Sequence, residues 1–225
     1  MDTQTLQGKY ILPLAMLFTA VLLISNTVAV KITQIGPFTF DAATLLFPIA
    51  YIFGDVLTEV YGYKATRKIV RYALYAQVLM ALVYALVQYL PAASFWDAQG
   101  SYESILGVVP RIVFASLVAF FAGELANAYI LSRMKVLSSG KQLWKRTISS
   151  TVIGQAIDTV LFVCIAFAGT MAMPELYAML VSNYIFKVAY EVCATPLTYI
   201  AVTTLKNKEQ IDVYDTQVNY NPFSS

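Results

Sequence analysis

Residues 42–61 read AATLLFPIAYIFGDVLTEVY, and this run decides the fold class. A bilayer core about 30 Å thick needs a helix of about 20 predominantly apolar residues, which is the length of this run. It ends before Gly62, where glycine favours a turn. Asp55 and Glu59 are its only charged residues. Ionisable residues persist inside a membrane mainly where they face a bundle interior or a cavity, so the run predicts a membrane helix with a functional face.

The composition of the whole chain agrees with a membrane protein. The 225 residues are 59% hydrophobic and 12% charged, whereas soluble domains carry about 25% charged residues. A net charge of +2 provides no strong basic field for nucleic acid. The chain contains no histidine, which excludes His-based catalysis and HExxH zinc sites. We therefore expect no enzyme, no cofactor, no metal site and no nucleic-acid partner.

Six segments have the length and hydropathy of a membrane span. They predict an all-α polytopic membrane protein with a single domain at residues 1–205 and a polar cytoplasmic tail at 206–225. Pro91 and Pro174 lie where the third span should end and the sixth should begin. The predicted spans are 10–30, 42–61, 70–90, 109–132, 147–170 and 176–205.

Lys and Arg are concentrated in the two termini and in the connections after the second and fourth spans. Because connections rich in Lys and Arg stay in the cytoplasm, we predict that both termini are cytoplasmic. The connections 31–41, 91–108 and 171–175 should then face the outside. We expect the lipid bilayer to surround most of the chain.

Ionisable and amide side chains recur at helical spacing inside the predicted spans. Residues three or four positions apart lie on one helix face, so each set forms a polar stripe on an apolar helix. Several stripes can point to one centre, which predicts a ligand or ion pathway between the helices. The stripes comprise Asn26 in the first span, Asp55 and Glu59 in the second, Glu124 and Asn127 in the fourth, Gln155 and Asp158 in the fifth, and Asn183, Lys187 and Glu191 in the sixth.

Structural roles remain open for some of these residues. Side-chain amides often form interhelical hydrogen bonds that only stabilise the bundle. Glu59, close to the inner boundary, could hold the turn at Gly62 or pair with Arg67 or Lys68. Lys187 and Glu191 lie one turn apart and are expected to pair.

The carboxylates outnumber Lys187, so protonation, a cationic ligand or Arg111 reaching inward must compensate their charge. Tyr51 and Tyr190 lie beside the stripes and could stack on a planar ligand. Tyr51, Glu59 and Arg111 are secondary candidates for the site.

Several motifs resemble the queuosine precursor transporter family, also called the vitamin-uptake-transporter-like family. The most specific is Asp-x-x-x-Glu-x-Tyr-Gly, which follows Phe-Pro in residues 47–62. The Lys187, Tyr190-Glu191 and Pro196-Leu197 pattern also matches. Further matches are SNTVAVKI at 25–32, FTFDAA at 38–43, GELAN at 123–127, IGQAIDT at 153–159, DVYD at 212–215 and NPF at 221–223.

This resemblance implies a bacterial inner-membrane importer that salvages 7-deazaguanine precursors of queuosine: the cyano and aminomethyl compounds, or queuine. It also implies a six-helix fold like that of the substrate-binding subunits of energy-coupling-factor transporters. Uptake is expected to be gradient-driven. The alternative is a substrate-capture subunit of an ATP-driven complex, and a homodimer or energy-coupling subunits are the candidate partners.

In this hypothesis Asp55, Glu124 and Asp158 accept hydrogen bonds from ligand N–H groups. The amides of Asn26, Asn127 and Gln155 orient the ligand. Lys187 and Glu191 contact the ligand or couple proton movement to transport.

Overall fold

A computed structural model describes residues 8–35, 38–107, 109–169 and 172–216. The described chain is dominated by helices, which confirms the all-α class. The end of the predicted fifth span at residue 170 and the tail residues 217–225 lie outside the described residues. The α-helices are α1 (Ile11–Val28), α2 (Phe47–Tyr61), α3 (Tyr63–Gln88), α4 (Gln99–Leu106), α5 (Val109–Leu137), α6 (Leu143–Phe167) and α7 (Met173–Glu209).

Within the described ranges, five helical segments are long and apolar enough to cross a membrane. They contain α1, α3, α5, α6 and α7 and make the chain a multi-pass membrane protein. Large apolar side chains such as Leu79, Leu86 and Phe114 are exposed on their outer faces. In a bilayer these side chains face lipid, so their exposure in the isolated chain carries no penalty there.

Helix α2 differs from the other predicted spans because it lies inside the bundle. It has 15 residues, which at 1.5 Å per residue is about 22 Å and shorter than a bilayer core. A 3-10 helix, Ala42–Leu45, precedes it, so the predicted span 42–61 consists of two pieces. Helices α1, α3, α5 and α7 pack around α2. Its acidic residues are therefore shielded from lipid by protein.

Several helices begin or end away from the predicted span boundaries. Helix α3 begins at Tyr63 rather than at residue 70, because Gly62, with φ +85°, reverses the chain within a single residue. The basic residues of the predicted connection are thus part of α3. Helix α7 continues to Glu209, four residues beyond the predicted end of the sixth span.

The sequence analysis did not anticipate a β-hairpin between α1 and the 3-10 helix. Strands β1 (Ile32–Ile35) and β2 (Phe38–Asp41) pair antiparallel, with Ile32 opposite Asp41. Their sequences, ITQI and FTFD, are rich in β-branched and aromatic residues, which favour strands. The hairpin leads directly into the 3-10 helix and so positions the start of α2.

The described residues after α7, 210–216, fold back across one end of the bundle. The backbone N–H of Val213 donates to the carbonyl of Val60 at 3.2 Å. Asp215 is buried and accepts hydrogen bonds from the backbone N–H of Tyr63 and the hydroxyl of Ser132. We call residues 210–216 the C-terminal strap.

Candidate functional site

Four acidic side chains from different helices meet in the interior of the bundle. Asp55 comes from α2, Glu124 from α5, Asp158 from α6 and Glu191 from α7, and each is at most 3% exposed. Glu124 lies within electrostatic range of the other three, and Glu191 within range of Asp55. These four residues are the acidic cluster.

Glycines allow the helices that carry the cluster to approach closely. A Cβ atom on Gly54 would lie 1.8 Å from Oε1 of Glu124, so the Glu124 carboxylate rests directly on the backbone of α2. Gly123 of α5 and Gly154 of α6 face each other, because a Cβ on Gly123 would lie 2.9 Å from the carbonyl oxygen of Gly154. Small residues at helix contacts permit this spacing in membrane bundles.

Two members of the cluster have polar partners. The Asn127 amide donates to Oδ1 of Asp55 at 2.7 Å. Lys187 donates to Oδ2 of Asp158 at 2.7 Å, and both side chains are buried. The predicted pair of Lys187 with Glu191 is therefore wrong for this state, since the lysine reaches across to α6 instead of along its own helix.

Many other polar atoms around the cluster have no hydrogen-bond partner among the described residues. Burying a polar atom without a partner costs about 1–3 kcal/mol, so their convergence identifies a place where water or a polar ligand supplies the missing bonds. These atoms are both carboxylate oxygens of Glu124 and of Glu191, Oδ2 of Asp55, Oδ1 of Asn127 and both amide atoms of Gln155.

A small cleft adjoins the cluster at the pair of Asp158 and Lys187. Its volume is about 10 Å³, which is room for about one water molecule. Asn183 contributes to its wall, as the polar stripe on the sixth span predicts. The other lining residues are Thr44, Ser116, Thr159 and Phe162.

Asn26 joins three helices by hydrogen bonds. Its amide nitrogen donates to Oε1 of Gln77 on α3 at 2.6 Å, and its oxygen accepts from Ser116 on α5 at 3.0 Å. Because Ser116 also lines the cleft, Asn26 supports the cleft wall. This arrangement is the structural role that the sequence analysis left open for single amides.

Glu59 belongs to a separate ion-pair network, one turn beyond Asp55 on α2. Its carboxylate accepts hydrogen bonds from Arg146 of α6 and from Lys206 of α7, the latter at 2.7 Å. Lys135 of α5 lies 3.7 Å away and also contacts Asp212 of the C-terminal strap. The expected partners Arg67 and Lys68 are therefore not those that Glu59 contacts.

Arg111 and Tyr190 have no hydrogen bond or ion pair with the acidic cluster among the described residues. Arg111 is exposed and donates to the carbonyl oxygens of Ile165 and Ala168, at the end of α6. It does not compensate the buried carboxylates, because its guanidinium is committed to these carbonyls. Tyr190 is half-buried on α7. Tyr51, by contrast, is fully buried beside the cluster, where its ring packs edge-on against Phe120.

The sequence of this chain is similar to that of a known protein family. Residues 41–201 match the sequence profile of the family described as "Putative vitamin uptake transporter". The chain belongs to this family. The matched region contains the whole acidic cluster and ends before Lys206 and the C-terminal strap. Family membership confirms the prediction of a transporter rather than an enzyme.

Three curated relatives match most of the chain. A "Probable queuosine precursor transporter" of Bacillus subtilis (strain 168) is 27% identical over 83% of this chain and 82% of its own. One with the same description from Haemophilus influenzae is 27% identical over 71% of this chain and 69% of its own. The "Queuosine precursor transporter" of Escherichia coli K12 is 23% identical over 73% and 72%. No solved structure matches the chain.

Sequence reasoning missed the residues that stabilise the site without carrying its charge. The positive-inside pattern assigned three basic residues to loops or to the tail: Lys135, Arg146 and Lys206. In the structure all three side chains converge on Glu59. Gly54 and Gly154 directly precede Asp55 and Gln155 in sequence. A small residue next to a buried polar one was the available signal for a close helix contact.

Proposed function

We propose that this transporter imports 7-deazaguanine precursors of queuosine and binds them at the acidic cluster. The main support for this proposal is that buried polar atoms without hydrogen-bond partners converge from α2, α5, α6 and α7. The descriptions of the three curated relatives support the substrate class. The import direction and a place in the bacterial cytoplasmic membrane, with both termini inside, are part of the proposal.

The donor and acceptor pattern of a deazaguanine fits these atoms. The base presents N1–H and an exocyclic amine as donors, for which Glu124 and Asp55 offer free carboxylate oxygens. Gln155 offers both an acceptor and a donor, and its amide N–H can serve the O6 side of the base. The Tyr51 ring lies beside these groups, and aromatic rings commonly stack on nucleobases.

The charge of the cluster favours a cationic precursor. Among the described residues, the four carboxyl groups of the cluster form one ion pair, that of Asp158 with Lys187, so a ligand that brings an ammonium group compensates more of the buried charge than a neutral one. Among the proposed substrates, the aminomethyl compound and queuine carry such a group and the cyano compound does not. We therefore expect the aminomethyl compound to bind more tightly than the cyano compound.

Equilibrium binding to the purified protein tests the proposal. Titration calorimetry with the aminomethyl and cyano deazaguanines should detect binding, whereas adenine, with a different donor and acceptor pattern, should not bind. Glu124→Gln should weaken binding of the aminomethyl compound by at least about tenfold, because a hydrogen bond to a charged group contributes about 1.5–3 kcal/mol. Unchanged affinity in both Glu124→Gln and Asp158→Asn would move the site elsewhere.

Reconstitution distinguishes the energy sources. We propose that a gradient drives uptake, because the buried carboxyl groups can exchange protons as a cationic substrate binds and leaves. Proteoliposomes containing this protein alone should then accumulate substrate when a proton gradient is imposed. If substrate binds but accumulates only when ATPase subunits are added, the protein is instead the capture subunit of an ATP-driven complex.

A further inference from the structure

The ammonium group of Lys187 pairs with one carboxylate of the acidic cluster, that of Asp158. Lys187 is 5% exposed and Asp158 is 3% exposed, and their contact is 2.7 Å. Among the described residues, this is the ion pair that includes a member of the acidic cluster. Asp55, Glu124 and Glu191 each keep at least one buried oxygen without a hydrogen-bond partner in the described chain.

The pair of Asp158 and Lys187 lies at the edge of the acidic cluster. Both residues line the small cleft, together with Thr44 of the 3-10 helix and Asn183 of α7. Glu124 and Glu191 do not line it. The cleft therefore borders the pair of Asp158 and Lys187 and not the unpartnered carboxylates.

Lys187 has a second carboxylate within reach on its own helix. Glu191 lies four residues further along α7, and side chains at this spacing are neighbours on a helix, with Cβ atoms about 5–6 Å apart. Rotation of the lysine side chain can bring it from Asp158 towards Glu191 without movement of the backbone. Both oxygens of Glu191 are buried and have no hydrogen-bond partner in the described ranges.

We propose that Lys187 is a specificity-determining residue that competes with the substrate for Asp158. The ammonium group of an incoming substrate replaces Lys187 at Asp158, and the displaced lysine pairs with Glu191. Separating a buried ion pair is strongly unfavourable unless each charge finds a new partner. A neutral ligand leaves the lysine in place, so this competition lowers the affinity for cationic ligands and not for neutral ones. This inference rests on the proposed function and adds the identity of the residue that limits how strongly the site prefers a cationic ligand.

The decisive variant is Lys187→Met, which keeps an unbranched side chain of nearly the same length and removes its charge. Binding of the aminomethyl and cyano deazaguanines is measured by titration calorimetry at pH 7 for this variant, for the unmodified protein and for Lys187→Arg as the matched control. Removal of the competing cation should tighten binding of the aminomethyl compound by about tenfold or more, equivalent to at least about 1.4 kcal/mol. The affinity for the cyano compound should stay within about threefold, and Lys187→Arg should keep the original ratio of the two affinities.

Other results overturn the inference. If Lys187 contacted the ligand directly, Lys187→Met would weaken the binding of both compounds. If the variant bound both compounds more tightly by the same factor, the effect on the site would be general. Should Lys187→Met fail to fold, Asp158→Asn takes its place, since it removes the group for which both cations compete. The preference for the cationic compound should then fall by about tenfold or more, and an unchanged preference would contradict the inference. Absence of binding to the unmodified protein would instead contradict the proposed function.

Discussion

Glu124 and Asp158 are both buried acids of one cluster, but their surroundings differ. Asp158 has a cationic partner at 2.7 Å, whereas neither oxygen of Glu124 has a hydrogen-bond partner among the described residues. A buried charge without a partner is unfavourable, and breaking a buried pair by removing one member costs about 3–5 kcal/mol. The same chemical change at the two positions should therefore have opposite effects on stability.

We expect Glu124→Gln to raise the melting temperature of the ligand-free protein, because a neutral amide is buried at lower cost than a carboxylate. Asp158→Asn should lower it, because Lys187 then loses its charged partner. Thermal unfolding of the two purified variants, followed by tryptophan fluorescence, measures both effects. Equal shifts of the same sign in the two variants would show that the pairing difference does not govern stability.

At the scale of helices, α2 connects the two polar regions of the bundle. Asp55 belongs to the acidic cluster and Glu59, one turn later, to the ion-pair network with Arg146 and Lys206. The helix is short and surrounded by four others, so neither acid faces lipid. An isolated span with these residues would be costly to insert, and the packing around α2 accounts for their presence.

Two glycines at the helix contacts give a matched test of this packing. The three atoms nearest to a Cβ on Gly54 all belong to the carboxylate end of Glu124, which is flexible, so Gly54→Ala should fold normally but displace that carboxylate. A Cβ on Gly154 would lie 2.9 Å from Cβ of Asn127 and 3.0 Å from the carbonyl oxygen of Gly123. Because a backbone atom cannot yield easily, Gly154→Ala should push α5 and α6 apart.

We therefore expect Gly54→Ala to weaken ligand binding at least about tenfold, through the loss of one charged hydrogen bond, with little change in melting temperature. Gly154→Ala should lower the melting temperature by several degrees, since overpacking typically costs about 1–3 kcal/mol. Calorimetric binding and thermal unfolding of both variants separate the two effects. A large loss of stability in Gly54→Ala would mean that Glu124 cannot move aside.

The sequence predicts the helices and the polar faces better than the partners of individual side chains. Helical spacing was enough to identify Asp55, Glu124, Asp158 and Glu191, because it depends only on the period of the helix. It could not show that Lys187 contacts α6 rather than Glu191, since that depends on how closely α6 and α7 approach. The β-hairpin was missed because its strands are four residues long and lie between two strongly apolar segments.

At the scale of the whole molecule, the C-terminal strap closes the end of the bundle at which Glu59 lies. Lys135 donates to the carbonyl oxygen of Val213 at 2.7 Å and contacts Asp212 at 2.5 Å, and Lys206 lies 2.9 Å from Asp212. Partial burial alone would raise the pKa of Asp212, but the contacts with Lys135 and Lys206 hold this pKa below its ordinary value of 3.8. The strap is thus attached by a charge that acid can remove.

Since the folded-state pKa of Asp212 is depressed, its stabilising effect is complete above the ordinary value and is lost as the pH falls through the folded value. We expect Asp212→Asn to lower the melting temperature by a constant amount between pH 7 and about pH 5, and this difference to shrink below about pH 4. Thermal unfolding of the purified protein and the variant across this range measures it. A difference that persists unchanged to about pH 3 would contradict the assigned pairing.

The orientation of the whole bundle can be tested at two exposed positions on either side of α5. Asp97 lies in the connection that precedes α4, and Lys141 follows α5. The basic residues Lys135, Lys141 and Arg146 cluster at the latter end, which the positive-inside rule places in the cytoplasm. In a background with Cys164→Ser and Cys193→Ser, an impermeant maleimide should label Asp97→Cys in intact cells and Lys141→Cys only after permeabilisation.

A permeant maleimide should label both variants in intact cells, which controls for the reactivity of each thiol. The reverse pattern with the impermeant reagent would place the C-terminal strap outside the cell.

The cleft beside Asp158 and Lys187 is lined by Thr44, which follows the β-hairpin, and the predicted orientation turns this hairpin outward. The Asp158 side of the acidic cluster would then face the outside, which agrees with the proposed import.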